Sequence, residues 1–255
     1  DNNNGKALAE LLHSAAQVAP GDRVLDVGHG CGDSLLLLSR GSLSCLHGVT
    51  SLPVHAQRAQ QRLGNQAQVW CADAVDWLAQ DDGADAYDVI LALDCAYHFH
   101  NRALFFERAH RRLKPGGRLA LVDLASAWPY PETSSSFTPS TLPAPMHPPS
   151  WGKRVQHWMT CYLSGTPTQS MVPCSTYMEQ LQTAGFSIIQ LRDISHDVFP
   201  GFSTFLQGLG IDDQAWRAGS QMQWAALRAF GRVVHTWAQG GDTGMARCVL
   251  VVATA

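Results

Sequence analysis

Between Asp22 and Leu124 the hydrophobic period of the chain switches repeatedly, and that alternation constrains the fold more than any single motif. "RVLDVG" is a short apolar run closing on glycines, and "DSLLLLSR" follows as a helix start. "LSCLHGVT" predicts a second strand, then "PVHAQRAQQRL" a helix with Pro53 in its first turn, where a missing N–H costs nothing. "AQVWCAD", "YDVILALDCA" and "RLALVDL" predict strands three to five. Between them lie "AVDWLAQ" and "NRALFFERAHRRL", the latter stopped by "KPGG". Strands separated by helical stretches of this length argue for an α/β fold, a doubly wound parallel sheet with helices on both faces.

Composition changes downstream. Seven of the thirteen prolines lie between Pro129 and Pro149, among Ser and Thr. A loop that long in a compact domain is a lid or disordered. Six of the eight tryptophans follow Ala125, and Trp128, Trp151 and Trp158 fall in this insert. A bare linker has no use for them, so part of the insert is expected to pack over something. "STYMEQLQTAGF" predicts a helix capped by Ser175 and stopped at Gly185. "SIIQLRDIS" reads as a sixth strand, helical patterns cover 198–209 and 214–237, and "MARCVLVVATA" is a last strand. The expected organisation is one domain over 1–255 with cap insertions at 125–175 and 196–244.

A chain that is 45% hydrophobic and 15% charged buries a sizeable core. A net charge of -3 predicts neither nucleic-acid binding nor attraction to an anionic membrane. No apolar run reaches the roughly 18 residues of a membrane-spanning helix. Seven cysteines without a CxxC pair read as reduced thiols, so a cytoplasmic or other reducing intracellular setting is expected. The chain opens "DNNNGK" without Met, so further residues, a targeting segment included, are expected upstream. Oligomeric state leaves no signal here.

In "VLDVGHGCGDSLLLL", Gly28, Gly30 and Gly32 occupy alternate positions between a strand and a helix. Such a turn places backbone N–H groups and a helix N-terminus at the carboxyl edge of the sheet, where ligands bind in open α/β folds. A dinucleotide fingerprint would need a third glycine at position 33 and an acid about 20 residues on. Asp33 and Thr50 stand there instead, which disfavours a nicotinamide oxidoreductase.

Asp-x-Gly-x-Gly-x-Gly on the first strand–helix turn resembles the first motif of class I S-adenosylmethionine-dependent methyltransferases. "WCADAVDWL", "YDVILALDCAYHF", "RALFFERAHRRLKPGGRLALVDL" and "YMEQLQTAGF" are similar to later family segments, in order, over residues 4 to 195 and the last strand. The resemblance implies a Rossmann-like sheet of order 3-2-1-4-5-7-6 with strand seven antiparallel, and S-adenosyl-L-methionine as cofactor. It assigns Gly28, Gly30 and Gly32 to the cofactor's amino-acid part, with Asp26 ordering the turn. Asp73 would take the adenine amino group, Ala74 N–H a ring nitrogen, and Asp94 would line the methionine end. "GVTSLP" departs from the acidic residue that usually holds the ribose. Thr50 and Ser51 resemble instead the branch of sterol C-methyltransferases, cyclopropane fatty acid synthases and ubiquinone-methyltransferase-like enzymes. That branch's N-terminal helix makes Asn4 a cofactor contact.

The same branch carries a histidine where "DCAYHFHNR" places His98, which makes His98 the candidate base and Tyr97 a substrate-orienting neighbour. His100 and Asn101 suit a helix cap. Tyr97 replaces the glutamate that supports bicarbonate in cyclopropane synthases, so that chemistry is not implied. Cys31 has no partner base, and no spacing among His147, His157 and His196 marks a metal site. Trp151, His157, Trp158, Phe199 and Phe202 are the expected substrate pocket, suited to a small apolar or aromatic molecule. Alternative readings are a non-methylating module that binds the same cofactor, such as a pericyclase-like enzyme, and the disfavoured oxidoreductase.

Overall fold

The computed structural model describes residues 3–80, 86–127, 150–208, 221–239 and 244–255. Strands β1 (Arg23–Val27), β2 (Cys45–Thr50), β3 (Gln68–Cys71), β4 (Tyr87–Leu93), β5 (Leu113–Ser126), β6 (Ile188–Asp193) and β7 (Ala246–Thr254) form one sheet. Their order is β3-β2-β1-β4-β5-β7-β6. β1 to β5 pair in parallel, and β7 inserts antiparallel to both β5 and β6. This is the order, with the reversed last strand, that the family resemblance implies. The chain winds outward from β1 to β3 and then returns to β4, so the carboxyl ends of β1 and β4 flank the switch point.

Helices α1 (Asn3–Ala15), α2 (Asp33–Leu38), α3 (Pro53–Leu63), α8 (Ser195–Gly208) and α9 (Gln221–Gln239) cover one face of the sheet. α4 (Ala74–Leu78), α5 (Arg102–Arg112) and α7 (Cys174–Thr183) cover the other. Leu12, Leu35, Ala59, Leu206 and Val234 fill the first interface; Phe105, Phe106, Tyr177 and Leu181 fill the second. α6 (Trp151–Ser164) joins neither core, and Cys161 is its one buried side chain among the described residues.

Several boundaries differ from the sequence reading, each for a local reason. "KPGG" lies within β5, as an irregular start opposite Tyr87 and Val89. There Gly116, at φ +78°, donates its N–H to the Ala255 carbonyl at 2.9 Å. α7 begins at Cys174 behind Pro173, so Ser175 falls inside the helix and is not its cap. Asn101 does cap α5, accepting from Leu104 N–H at 3.0 Å. α8 and α9, in the stretch expected to form a cap, lie against the sheet face: Phe199 is buried edge-to-face on Trp237, with ring centroids 5.5 Å apart. Burying a phenylalanine of an amphipathic helix against an apolar sheet contributes about 1.5–3 kcal/mol, and in this structure Phe199 belongs to the core, not to a pocket wall. Trp128 and His147 lie outside the described residues.

Candidate active site

The three glycines of the first turn all adopt positive φ, at +68°, +56° and +87° for Gly28, Gly30 and Gly32. Only glycine enters this region without cost, but the three differ in what a side chain would meet. A Cβ on Gly28 would sit 2.6 Å from both Cβ and Sγ of Cys95, and one on Gly32 would sit 3.0 Å from Cβ of Ala59. Around Gly30 there is open space to 4 Å. Two glycines therefore admit neighbouring protein, and Gly30 is the one that leaves room for a guest. His29 turns inward and is buried; it packs so closely on Gly48 that a Cβ there would meet its ring at 2.8 Å. No spacing rule in the sequence flagged this pair.

Three carboxylates converge on the heads of β1, β4 and β5, around the Cys95 thiol. Asp26 is wholly buried, and among the described residues only the Ser34 hydroxyl approaches its carboxyl, too poorly placed to count as a well-formed hydrogen bond. Burial lifts its carboxyl to about 7, against a weaker pull from the Ser34 hydroxyl. That hydroxyl is itself paired with Nε2 of His13 at 2.9 Å. Asp94 sits at φ +54° and reaches solvent, yet enough protein surrounds it that desolvation raises its carboxyl to about 6. Its hydrogen bond with the Tyr97 hydroxyl works in the opposite direction. Desolvation first, then the Asp94 charge, push the Tyr97 phenol far up, so it keeps its proton. Asp123 takes hydrogen bonds from Arg102 Nη1 at 3.1 Å and from the Tyr177 hydroxyl at 2.9 Å. Arg102 balances Asp123 alone, and no described cation pairs with Asp26 or Asp94. The Arg102–Asp123 pair was invisible in the sequence, because only the packing of α5 on β5 brings it together.

This cluster suits S-adenosyl-L-methionine, whose sulfonium and ammonium would supply the missing positive charge beside an open Gly30. Along the same edge, Ser51 is exposed, whereas Thr50 is buried with its hydroxyl 3.5 Å from Leu52 N–H. Asp73 caps α4 through Oδ1, which accepts from Val75 N–H at 2.8 Å and Asp76 N–H at 3.1 Å. Asp73 is otherwise exposed, and Ala74 behind it is buried. Asn4 lies in α1, but its side chain is outside the described residues.

His98 ends the short 3₁₀ turn Ala96–His98 after β4. Its Nδ1 lies 3.4 Å from the carbonyl of Gly165, the residue that closes α6. A carbonyl can only accept, so Nδ1 carries a proton, and in the neutral ring the lone pair is then on Nε2. The Tyr97 ring leans on the imidazole at 4.2 Å between centroids. α6 carries an exposed aromatic stripe, Trp151, Trp158 and Tyr162, with Trp158 stacked on Tyr162 at 5.7 Å and 13°. His157 faces inward on the same helix, its Nε2 3.6 Å from the Cys161 sulfur, and burial lowers its pKa. Phe202 on α8 stays 40% exposed and meets Phe230 edge-on. Among the described residues no cluster of three or more His, Cys, Asp or Glu side chains could hold a metal ion.

The sequence profile of the methyltransferase domain family matches residues 2–191. The chain belongs to that family. Family membership, with this sheet and turn, makes this a class I S-adenosyl-L-methionine-dependent methyltransferase domain. It is 30% identical over 194 residues to erythromycin 3''-O-methyltransferase of Saccharopolyspora erythraea, a match covering 75% of this chain and 59% of that enzyme. It is 24% identical to 27-O-demethylrifamycin SV methyltransferase of Amycolatopsis mediterranei, covering 82% of this chain and 70% of that enzyme. Among solved structures the cyclase SpnF superposes with a TM-score of 0.64 at 20% identity, over 98% of this chain and 80% of that one. A likeness at that identity speaks for the fold alone.

Proposed function

We propose that this methyltransferase acts on a hydroxyl group of a small, largely apolar natural product, with His98 as the base. The observation that carries the reading is the His98–Gly165 contact, which in the neutral ring places the free lone pair on Nε2 at the carboxyl end of β4. When bound, the cofactor supplies an electrophilic methyl group on sulfur. Gly30 and the Asp26–Asp94 pair would hold its charged end, Asp73 and the Ala74 N–H its adenine, and Ser51, with Thr50, its ribose. Nε2 of His98 would take the proton of the acceptor hydroxyl, and holding the acceptor in place would contribute much of the rate. Tyr97, kept protonated beside Asp94, is a donor that orients the acceptor. Trp151, Trp158 and Tyr162 would cover its apolar body, with Phe202 and His157 as weaker contributors.

Two relatives named for methylation of oxygen support a hydroxyl acceptor. The test is transfer of isotope-labelled methyl from S-adenosyl-L-methionine to a panel of hydroxylated macrocycles, phenols, amines and fatty acids. Label on oxygen of a macrocycle or phenol supports the reading. Label on nitrogen or carbon alone removes the hydroxyl assignment, and a rearranged but unmethylated product would establish the pericyclase-like alternative.

A further inference from the structure

At the end of the sheet remote from the glycine turn, three side chains form a polar relay that methyl transfer does not use. Cys45 opens β2, His47 follows on the same face, and Tyr87 opens β4. Cys45 Sγ lies 2.9 Å from Nε2 of His47, and Nδ1 of the same ring lies 2.6 Å from the Tyr87 hydroxyl. β1 runs between β2 and β4, so the imidazole spans one strand to make the second contact.

The direction of the relay follows from which groups can donate. Arg112 hydrogen-bonds to the Tyr87 oxygen, and a guanidinium has no acceptor to offer. Burial pushes the Tyr87 phenol up to about 12, so it keeps its proton, and with Arg112 already donating to its oxygen we assign that proton to the bond with Nδ1 of His47. An imidazole that accepts at Nδ1 carries its own proton at Nε2. That N–H points at the Cys45 sulfur, which is thus an acceptor, the arrangement that favours a thiolate. Arg112, 5.9 Å over the Tyr87 ring, and Arg23 add positive charge to the same cluster.

Other described thiols lack this combination. Cys95 donates to the Val27 carbonyl and is held protonated by burial. Cys161 also faces a histidine, but it is buried and its thiol is raised. Cys71 is exposed, with the Ser51 carbonyl 3.9 Å away. Cys45 alone among them is half-buried, accessible and paired with an imidazole donor.

We propose that Cys45, held by His47 and Tyr87, is a nucleophilic thiol site that captures α,β-unsaturated carbonyl compounds by conjugate addition. The sulfur pair forms the S–C bond at the β-carbon, and the π pair moves onto the carbonyl as an enolate. The proton lost by the thiol returns to the α-carbon, so the S–H adds across the double bond and no further reactant is needed. The site stands independently of the methyl-transfer reading.

The experiment is limited labelling of the full chain with N-ethylmaleimide at neutral pH, with each cysteine peptide quantified by mass spectrometry. Cys45 should react at least about fivefold faster than Cys71 although it is less exposed, as expected of a thiolate against a thiol. Tyr87→Phe and His47→Gln should each bring the Cys45 rate down to that of Cys71 and leave the Cys71 rate unchanged. The wild-type comparison needs no variant to fold. Labelling of Cys45 no faster than Cys71 in the wild type overturns the proposal, as does a Cys45 rate unmoved by either folded variant.

Discussion

Nδ1 of His98 rests against the carbonyl of Gly165, joining the end of β4 to the last turn of α6. One contact therefore fixes the tautomer of the candidate base and anchors the helix that carries the aromatic stripe. Gly165 adopts φ +67°, a left-handed helix end that glycine takes without cost. Gly165→Pro would remove that geometry and move the carbonyl away from His98. Turnover should fall at least about tenfold, because the wrong tautomer or orientation of a base forfeits much of its contribution, while affinity for S-adenosylhomocysteine stays within twofold to threefold of wild type. Equal losses of turnover and cofactor affinity would show that α6 supports the whole cleft instead.

The glycine turn makes a paired prediction. A Cβ on Gly30 meets no neighbouring protein atom within 4 Å, so Gly30→Val should cost about 1–2 kcal/mol of stability for the left-handed backbone and abolish S-adenosylhomocysteine binding by calorimetry. Gly28→Ala drives a methyl into Cys95, and should cost a further 1–3 kcal/mol or so for overpacking. Unchanged affinity in folded Gly30→Val would remove the turn from the binding site.

Asp73 caps α4 through one oxygen, and the proposed adenine contact would use the other. Asp73→Ala should lower both stability, by about 1 kcal/mol for the lost cap, and cofactor affinity, by about 1.5–3 kcal/mol for a charged hydrogen bond. Asp73→Ser restores the cap and not the second oxygen, so thermal midpoint should recover while calorimetric affinity does not. Recovery of both would leave Asp73 a cap and nothing more.

The carboxylates at the strand heads give a pH dependence whose sign is fixed. Asp26 is raised from an unfolded value near 3.8 to about 7, and Asp94 to about 6. The folded, ligand-free protein binds these protons more tightly than the unfolded chain, so their contribution is full below pH 4 and is lost as pH rises through 6 and 7. Denaturation between pH 5 and 7.5 should show this fall, and Asp26→Asn should flatten its upper part. A cationic cofactor reverses the preference and favours the charged carboxylates. Titration calorimetry at pH 6.5 in buffers of different ionisation enthalpy should therefore show proton release when S-adenosyl-L-methionine binds. Proton uptake would contradict the assignment of these carboxylates to the cofactor's positive end.

Much of this was legible in the chain because it is written in local pattern. Alternating periods gave the sheet, and the glycine spacing with "KPGG" placed its order through a family resemblance. The roles inside the turn were not legible. Gly28 and Gly32 look like Gly30 in the sequence, and only the approach of Cys95 and Ala59 separates them. Phe199 and Phe202 share one helical pattern, yet one is buried on Trp237 and the other remains exposed. The Arg102–Asp123 pair joins residues 21 apart across two elements, a relation no periodicity encodes.

The account rests on His98 as a base acting on a bound hydroxyl, and single-turnover methyl transfer in wild type, His98→Ala and His98→Gln tests it most directly. With an acceptor identified from the labelled panel, His98→Ala should slow transfer about 10²–10⁴-fold, the usual contribution of a positioned base, with S-adenosylhomocysteine affinity and thermal midpoint preserved. His98→Gln should be equally slow, because an amide cannot take the proton. Near-wild-type transfer by folded His98→Ala would contradict the account and leave alignment in the cleft as the source of the rate.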